Sequence, residues 1–387
     1  MPRELAFLAG HGSLGGGEVM LLAMARVAHE LGYAARVVAP DAPDALVLAA
    51  RSLGLPVTAL PVAALPEVAA RARRPGYLAA LAGWRAAHPA SLVWANGLAP
   101  ALAVAGSPRR VVHLHQTPQS TQQVRATRLA VVGARAVVVP SQAMAARIAP
   151  QLGRNAARLL VLPNWVDPVH VVPRPAEGSS DETAAVGAGR PLVLGFLGRI
   201  GPNKGVLELA EAVRRLDSAD PGRVRLVLAG EPLHVGPAQA AAVERGLAPI
   251  AHLVERPGWL DRADFFARVD LAVFPSRLPE SFGLVVAEAM SARVPFVISD
   301  AGALPEVAGP DHPWIARAGD PGDLTRVLDL ALTEIEPVRP PKSSDWTTRH
   351  ESGIGAILNA SYKRFHDEFS PCAGAERFGR ALKVLGD

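Results

Sequence analysis

The feature that most constrains this chain is an alternation that runs along it twice. Apolar runs of strand length, most of them closed by a polar or turn residue, are separated by helical patterns. Parallel neighbours need long, usually helical connections, so such an alternation points to parallel sheets with crossover helices. The chain reads as α/β, with two Rossmann-like domains whose parallel sheets are expected to face a deep cleft.

In the first half, ELAFLAG (4–10) leads through HGSLGGGE into the helical VMLLAMARVAHELG, closed by Gly32, and ARVVAP (35–40) follows as the second strand. Further strands are predicted at SLVWAN (91–96), RVVHLHQ (110–116), AVVVPS (136–141) and LLVLPN (159–164). Between Val172 and Pro191 the text PRPAEGSSDETAAVGAGR has no apolar periodicity and marks a linker. The alternation then restarts with PLVLGFLGR, a helix over 205–216, RVRLVLAG, a helix near 238–246, HLVERPGW, a helix near 261–268, LAVFPS, a helix over 282–291 and VPFVISD. The predicted division is an N-terminal domain over 1–172, a linker over 173–190 and a C-terminal domain over 191–365. Residues 349–387 read as helical with no strand to pair with, and a last helix at about 366–387 is expected to pack back on the N-terminal domain.

Composition removes several classes. Cys372 is the only cysteine, so neither a disulfide framework nor a Cys-based metal site can be built. No apolar run reaches the roughly 18 residues that span a bilayer, and the N-terminus reads directly into a strand. The expected location is the cytoplasm, with a peripheral place at the inner membrane face as an option. The net charge of +4 hides an asymmetry: residues 1–180 hold 17 Arg, no Lys and 8 acidic residues, a net of +9 that leaves −5 for the rest. A basic half favours an anionic partner such as a lipid headgroup or a phosphorylated acceptor, although a bias toward Arg and Ala codons produces the same excess. The stretch RARRPGYLAALAGWR (71–85) interleaves Arg71, Arg73, Arg74 and Arg85 with Tyr77 and Trp84, as helices at a membrane surface do. An ordinary surface helix is the plainer reading. No recognition motif accompanies the arginines, so nucleic acid is not expected as a partner.

Four constellations carry chemistry. In PSRLPESFGLVVAEAM, Glu280 and Glu288 lie eight residues apart across a loop-to-helix junction. Were the stretch helical throughout, about 12 Å of rise and about 80° of rotation would keep both acids near one face. Ser281, Phe282, Gly283 and Leu284 open that helix, and their free amides suit a phosphate. The plain alternative is a capping Glu followed by a solvated one. In GFLGRIGPNKG, Arg199 and Lys204 follow a strand across a Gly- and Pro-punctuated turn, and two cations there suit a pyrophosphate. No Asp-x-Asp pair or His and acidic cluster has metal-ligand spacing, so no metal is expected. The loop GHGSLGGGE admits a rival: Gly10, Gly12 and Gly15 form G-x-G-x-x-G, with Asp41 after the second strand, as in dinucleotide-binding domains. Gly16 and Gly17 lengthen that loop, and Glu18 at the helix start is either a ligand contact or a dipole partner. Last, His113 and His115 share a face of their strand, while Asn164 and Trp165 sit where the cleft should open.

Taken together, residues 198–205 and 275–309 resemble the retaining glycosyltransferases of family 4, which have the GT-B fold. GRIGPNKG is similar to the family's donor-phosphate motif, PESFGLVVAEAM to its E-x7-E motif, AGALPEVAG to the turn that follows, and GGGE to its N-terminal Gly loop. The resemblance implies that Arg199 and Lys204 bind the diphosphate of a nucleotide sugar, UDP- or GDP-linked. It implies Glu288 on the ribose, Glu280 on the sugar hydroxyls, amides near Gly283 and Leu284 on the phosphates, and Gly16 and Gly17 near phosphates or acceptor. His115, rather than His113, is the implied sugar contact. Trp165 departs from the Gly that many relatives have after the Asn. The implied reaction is transfer of a hexose to a hydroxyl of a small molecule, glycan or lipid, without cofactor or metal. An epimerase, a nicotinamide enzyme and a non-catalytic sugar-nucleotide sensor are the alternatives.

Overall fold

The structure, a computed structural model, describes residues 3–62, 70–171, 190–233, 235–336 and 353–386, with the side chains of 70–74 and 386 outside that description. Except for Arg190, the predicted linker lies outside the described residues. The chain divides into two compact units, one of residues 1–165 with 371–387 and one of residues 166–370.

The first unit carries seven parallel strands: β1 (Glu4–Ala9), β2 (Ala34–Pro40), β3 (Val57–Leu60), β4 (Leu92–Asn96), β5 (Arg110–His113), β6 (Ala136–Val139) and β7 (Leu159–Val161). Their order in the sheet is β3-β2-β1-β4-β5-β6-β7. The interior strands are buried along nearly their whole length, as expected of a sheet covered on both faces by crossover helices. The helices are α1 (Gly16–Glu30), α2 (Ala45–Ser52), α3 (Ala70–Ala87), α4 (Leu98–Ala103), α5 (Thr121–Val131) and α6 (Gln142–Leu152). Serines start the last two: Ser120 accepts from the Gln123 amide and Ser141 from the Met144 amide.

The second unit repeats the plan with β8 (Leu192–Leu197), β9 (Val224–Ala229), β10 (Val254–Gly258), β11 (Leu271–Phe274), β12 (Phe296–Ser299) and β13 (Ile315–Ala316), in the order β10-β9-β8-β11-β12-β13. Its helices are α7 (Val206–Ala219), α8 (Pro237–Leu247), α9 (Arg262–Phe266), α10 (Leu284–Ser291), α11 (Leu304–Ala308), α12 (Pro321–Ile335) and α13 (Gly353–Arg364). The helix expected over 282–291 starts two residues later. Gly283 has φ 99°, a left-handed conformation that an entering helix cannot contain. The strand expected over 110–116 stops at His113, so His115 stands beyond its end.

The change of unit falls at Trp165/Val166, ahead of the expected boundary at 172. The physical reason is local: the Val166 amide bonds to Phe369 O, the Val169 amide bonds to Ser291 Oγ, and both valines join the second unit's apolar core. The chain changes unit again before α14 (Pro371–Gly386), which is grouped with the first unit. Phe378 of α14 is fully buried, 5.3 Å edge-on from the Trp94 ring and 6.4 Å from that of Phe7. Trp165 is buried beside it, with ring centroids 6.3 Å apart.

The basic segment 71–85 is part of α3, and its aromatic residues face inward. Tyr77 is buried and donates to Ala9 O, Trp84 is buried, and the buried Arg85 spends its guanidinium on His88 O, Ser91 O and Ser107 Oγ. Those three side chains are therefore unavailable to a membrane surface.

A Cβ added at Gly374 would lie 2.2 Å from the Trp165 ring. Gly374→Ala should cost about 1–3 kcal/mol, because an already packed aromatic must move. Urea denaturation of the two forms checks this.

Candidate active site

In each sheet the winding direction reverses once, between β1 and β4 in the first unit and between β8 and β11 in the second. Ligands of open parallel sheets bind beyond the carboxyl ends of the strands at such a reversal. In the second unit, β8 runs out into Gly198 and Arg199, and β11 into Pro275 and Ser276.

Several contacts join the segments that follow these two strands. Lys204 ends a short 3-10 turn, and Gly205 follows with φ 76°. A Cβ on Gly205 would lie 1.8 Å from Pro275 O, so only glycine lets the two segments meet this closely. The amides of Arg277 and Leu278 donate to Asn203 O at 3.0 and 3.3 Å. Lys204 Nζ then reaches Glu280 Oε1 at 2.6 Å, and Ser276 Oγ donates to the same oxygen at 2.5 Å. Glu280 is itself fixed by a parallel bridge to Gly302 and by the Ala303 amide on its carbonyl. Arg199 is exposed and forms no ion pair or side-chain hydrogen bond with another described residue. The two cations predicted for an anion thus differ: one is held by a carboxylate, the other faces solvent.

Glu280 and Glu288 are not on one helix. Glu280 precedes α10, and Glu288 lies inside it, 3% exposed. Burial raises the Glu288 carboxyl above its ordinary range, against the pull of the Arg262 guanidinium, whose Nε lies 2.5 Å from Oε1. Oε2 of Glu288 is buried with no hydrogen-bond partner. A buried charged oxygen left unpaired is costly, and a ligand hydroxyl would relieve that cost. Gly283 opens α10 without a side-chain cap; the Val286 amide turns back to Gly283 O, and no side chain caps the amides of Leu284 and Val285. Phe282 is buried against Phe369, and only its backbone can serve a ligand. Ser281 is half-buried in the same turn.

At the reversal in the first unit, the loop after β1 lies beside the end of β4. Asn96, the last residue of β4, donates to Gly17 O at 3.1 Å and accepts from His115 Nε2 at 2.7 Å. A Cβ on Gly17 would lie 3.1 Å from the His115 ring. Gly16 is the first residue of α1, whose N-cap, Gly15, offers no capping side chain. His113 behaves differently from His115: it is buried, its Nδ1 accepts from Trp94 Nε1 at 3.3 Å, and its ring sits 4.1 Å from that of His115. His113 is a core residue that supports the half-buried His115. Glu18 is 6% exposed and meets His11 Nε2 at 3.2 Å. Burial raises its carboxyl above the usual range. Asn164 is buried with Oδ1 unpartnered, and Trp165, proposed for a ligand cleft, is instead packed under α14.

The dinucleotide reading of the Gly loop loses two supports here. A Cβ on Gly12 would fall 1.7 Å from Pro43 O, so this glycine answers to the chain's own backbone. Asp41 accepts from the Val62 amide at 2.8 Å, which occupies it in a turn. Three participants escaped sequence reasoning. Asn96 was detectable, since it is the polar residue closing SLVWAN at the winding reversal. Ser276 similarly closes LAVFPS. Arg262, which meets a partner 26 residues away, left no local signal.

Two doubly wound parallel units, with cations and carboxylates gathered where one of them reverses, are the halves of a GT-B fold. The structure of Alr3699/HepE from Anabaena in complex with UDP and glucose superposes on 99% of this chain and 100% of its own, with a TM-score of 0.75 and 20% identity. Sucrose-phosphate synthase from Thermosynechococcus elongatus does so over 99% of each chain, with a TM-score of 0.73 and 16% identity. In sequence, the family described as Glycosyltransferase Family 4 matches residues 14–170, and that described as Glycosyl transferases group 1 matches residues 191–334. The chain belongs to glycosyltransferase family 4. It is 30% identical over 285 residues to the D-inositol 3-phosphate glycosyltransferase of Stackebrandtia nassauensis, covering 68% of this chain and 62% of that one. It is 36% identical over 140 residues to the MMP alpha-(1->4)-mannosyltransferase of Mycolicibacterium hassiacum, covering 36% of this chain and 33% of that one. The chain therefore spans less than two thirds of either relative's length.

Burial lowers His115 to about 4 and pushes His113 well below the ordinary imidazole value of 6.5, with His115 adding to the effect. Both rings should stay neutral near pH 7, which an NMR titration of the imidazole protons will show. Because the folded values lie below the unfolded ones, the stability these rings contribute above pH 6.5 is lost as pH falls toward 4.

Proposed function

We propose that the chain transfers a hexose, with retention, from a UDP- or GDP-linked donor held by the second unit to a hydroxyl acceptor held mainly by the first. The observation that carries this reading is the Lys204–Glu280 pair at the reversal of the second sheet, followed along the chain by the helix whose buried Glu288 keeps one carboxylate oxygen unsatisfied. In the proposed complex Arg199, Lys204 and the amides at Gly283 and Leu284 hold the diphosphate. Glu288 accepts from the ribose hydroxyls, and Glu280 accepts from the sugar. HepE, of like fold, has been solved with UDP and glucose and with UDP-glucose, which supports a donor of this class.

The chemistry follows from charge. As the bond between the anomeric carbon and the phosphate oxygen breaks, negative charge grows on the diphosphate, and fixed cations and amides stabilise it more than they stabilise the intact donor. No carboxylate is assigned here as a covalent nucleophile, and the acceptor oxygen is proposed to attack from the same face. Its proton passes to the departing phosphate. His115, neutral and oriented by Asn96, contacts the donor sugar. Among the described residues no cluster of three or more His, Cys, Asp or Glu could hold a metal ion, and the cations take that role in this reading. The basic character of residues 1–180 supports an anionic acceptor, and the inositol phosphate named for several relatives is of that chemistry. No helix among the described residues is long and apolar enough to cross a membrane.

Lys204→Ala and Glu280→Gln should each lower kcat/KM by about 10²- to 10³-fold, the usual cost of removing one stabilising group, while leaving the melting temperature nearly unchanged. Full activity in both, measured by release of nucleoside diphosphate with a panel of UDP- and GDP-hexoses, would refute the assignment. Excess EDTA should leave turnover of the wild-type protein unaltered.

A further inference from the structure

Glu288 raises a physical difficulty that its proposed role does not resolve. A carboxylate this deeply buried tends to take up a proton, and a protonated acid is a poor acceptor for two hydroxyls. One oxygen has no partner at all, and Asp261, the N-cap of α9, adds a like charge that also favours protonation. The opposing influence is Arg262, the first residue of α9, whose Nε meets Oε1 directly while half of its side chain remains in solvent. Asp261 and Asp167 in turn hold the Arg262 charge. Charges on the elements packed beside α10 are engaged with one another, Lys363 with Asp367 and Arg364 with Glu368.

We infer that Arg262 is a positioning residue that keeps Glu288 ionised and turned so that Oε2 is presented as a bare acceptor to the vicinal hydroxyls of the nucleoside. The inference rests on the proposed ribose role of Glu288 and adds to it a residue outside the resemblance. By occupying Oε1, Arg262 fixes the carboxylate plane. By its charge, it makes the bond to the ribose charge-assisted, which is roughly twice as strong as a neutral one. Because it approaches from the solvent side, it can be removed without opening the core.

The test uses the full chain and isothermal titration with UDP, GDP and the 2′-deoxy form of whichever binds more tightly. At about pH 7, Arg262→Ala should weaken that nucleotide about tenfold and bring the deoxy-to-ribo ratio of Kd toward one. Raising the pH to about 8.5 should restore most of the loss, since Glu288 ionises again. Arg262→Lys should keep affinity within about threefold of wild type, and Glu288→Gln should bind weakly with no such pH response. Arg262→Gln serves as a second neutral variant should the alanine form fail to fold. Wild-type affinity and ratio in the neutral variants at every pH would overturn the inference, as would a loss independent of pH and not rescued by Lys. Wild-type protein that binds neither UDP nor GDP would instead defeat the donor reading on which it stands.

Discussion

Each sheet of this protein is parallel and wound in two directions from a central strand. That arrangement forces two crossover connections apart at one place, and there the backbone cannot be covered by its own helices. In the second unit, Lys204 and Glu280 meet at that gap. The turn after β8 and the loop after β11 meet through Gly205 and Pro275, and the contact delivers Lys204 to Glu280. Neither charge is placed by its own helix. Both are placed by the meeting of loops whose separation is fixed by two neighbouring strands.

The alternation of apolar runs made most of this fold legible. Strands in a doubly covered sheet must be apolar on both faces, so they stand out as continuous runs, and the polar residues that close them mark the binding edge. Lys204, Glu280 and Glu288 could be singled out because they lie near such edges or at a helix start. Local punctuation failed where tertiary packing decided the outcome. Trp165, an aromatic after a strand, gave no sign that α14, which starts more than 200 residues later, would lie over it. Tyr77 and Trp84 resembled surface anchors because the pattern of arginines around them is blind to which helical face meets the sheet. His113 and His115 share a face by spacing, and the end of β5 between them separates a core ring from a half-buried one beyond the strand.

Polar groups left unsatisfied in the interior repay attention because native proteins rarely tolerate them. Oε2 of Glu288 is one, and Oδ1 of Asn164 is another. The first sits in α10, the helix that follows the loop carrying Glu280. The other lies at the last residues of the first unit, next to the tryptophan that packs under α14.

The return of α14 to the first unit has a consequence for biosynthesis. A ribosome emits this chain from its N-terminus, so the residues that complete the earlier-made unit emerge after the whole of the second. Until Phe378 arrives, the place it fills between Phe7, Trp94 and Trp165 stays open, and burial of one such ring contributes about 1.5–3 kcal/mol. The later-made unit is continuous in sequence and can close first. A chain cut before Pro371 would therefore hold a whole second unit and a first unit that lacks its final wedge.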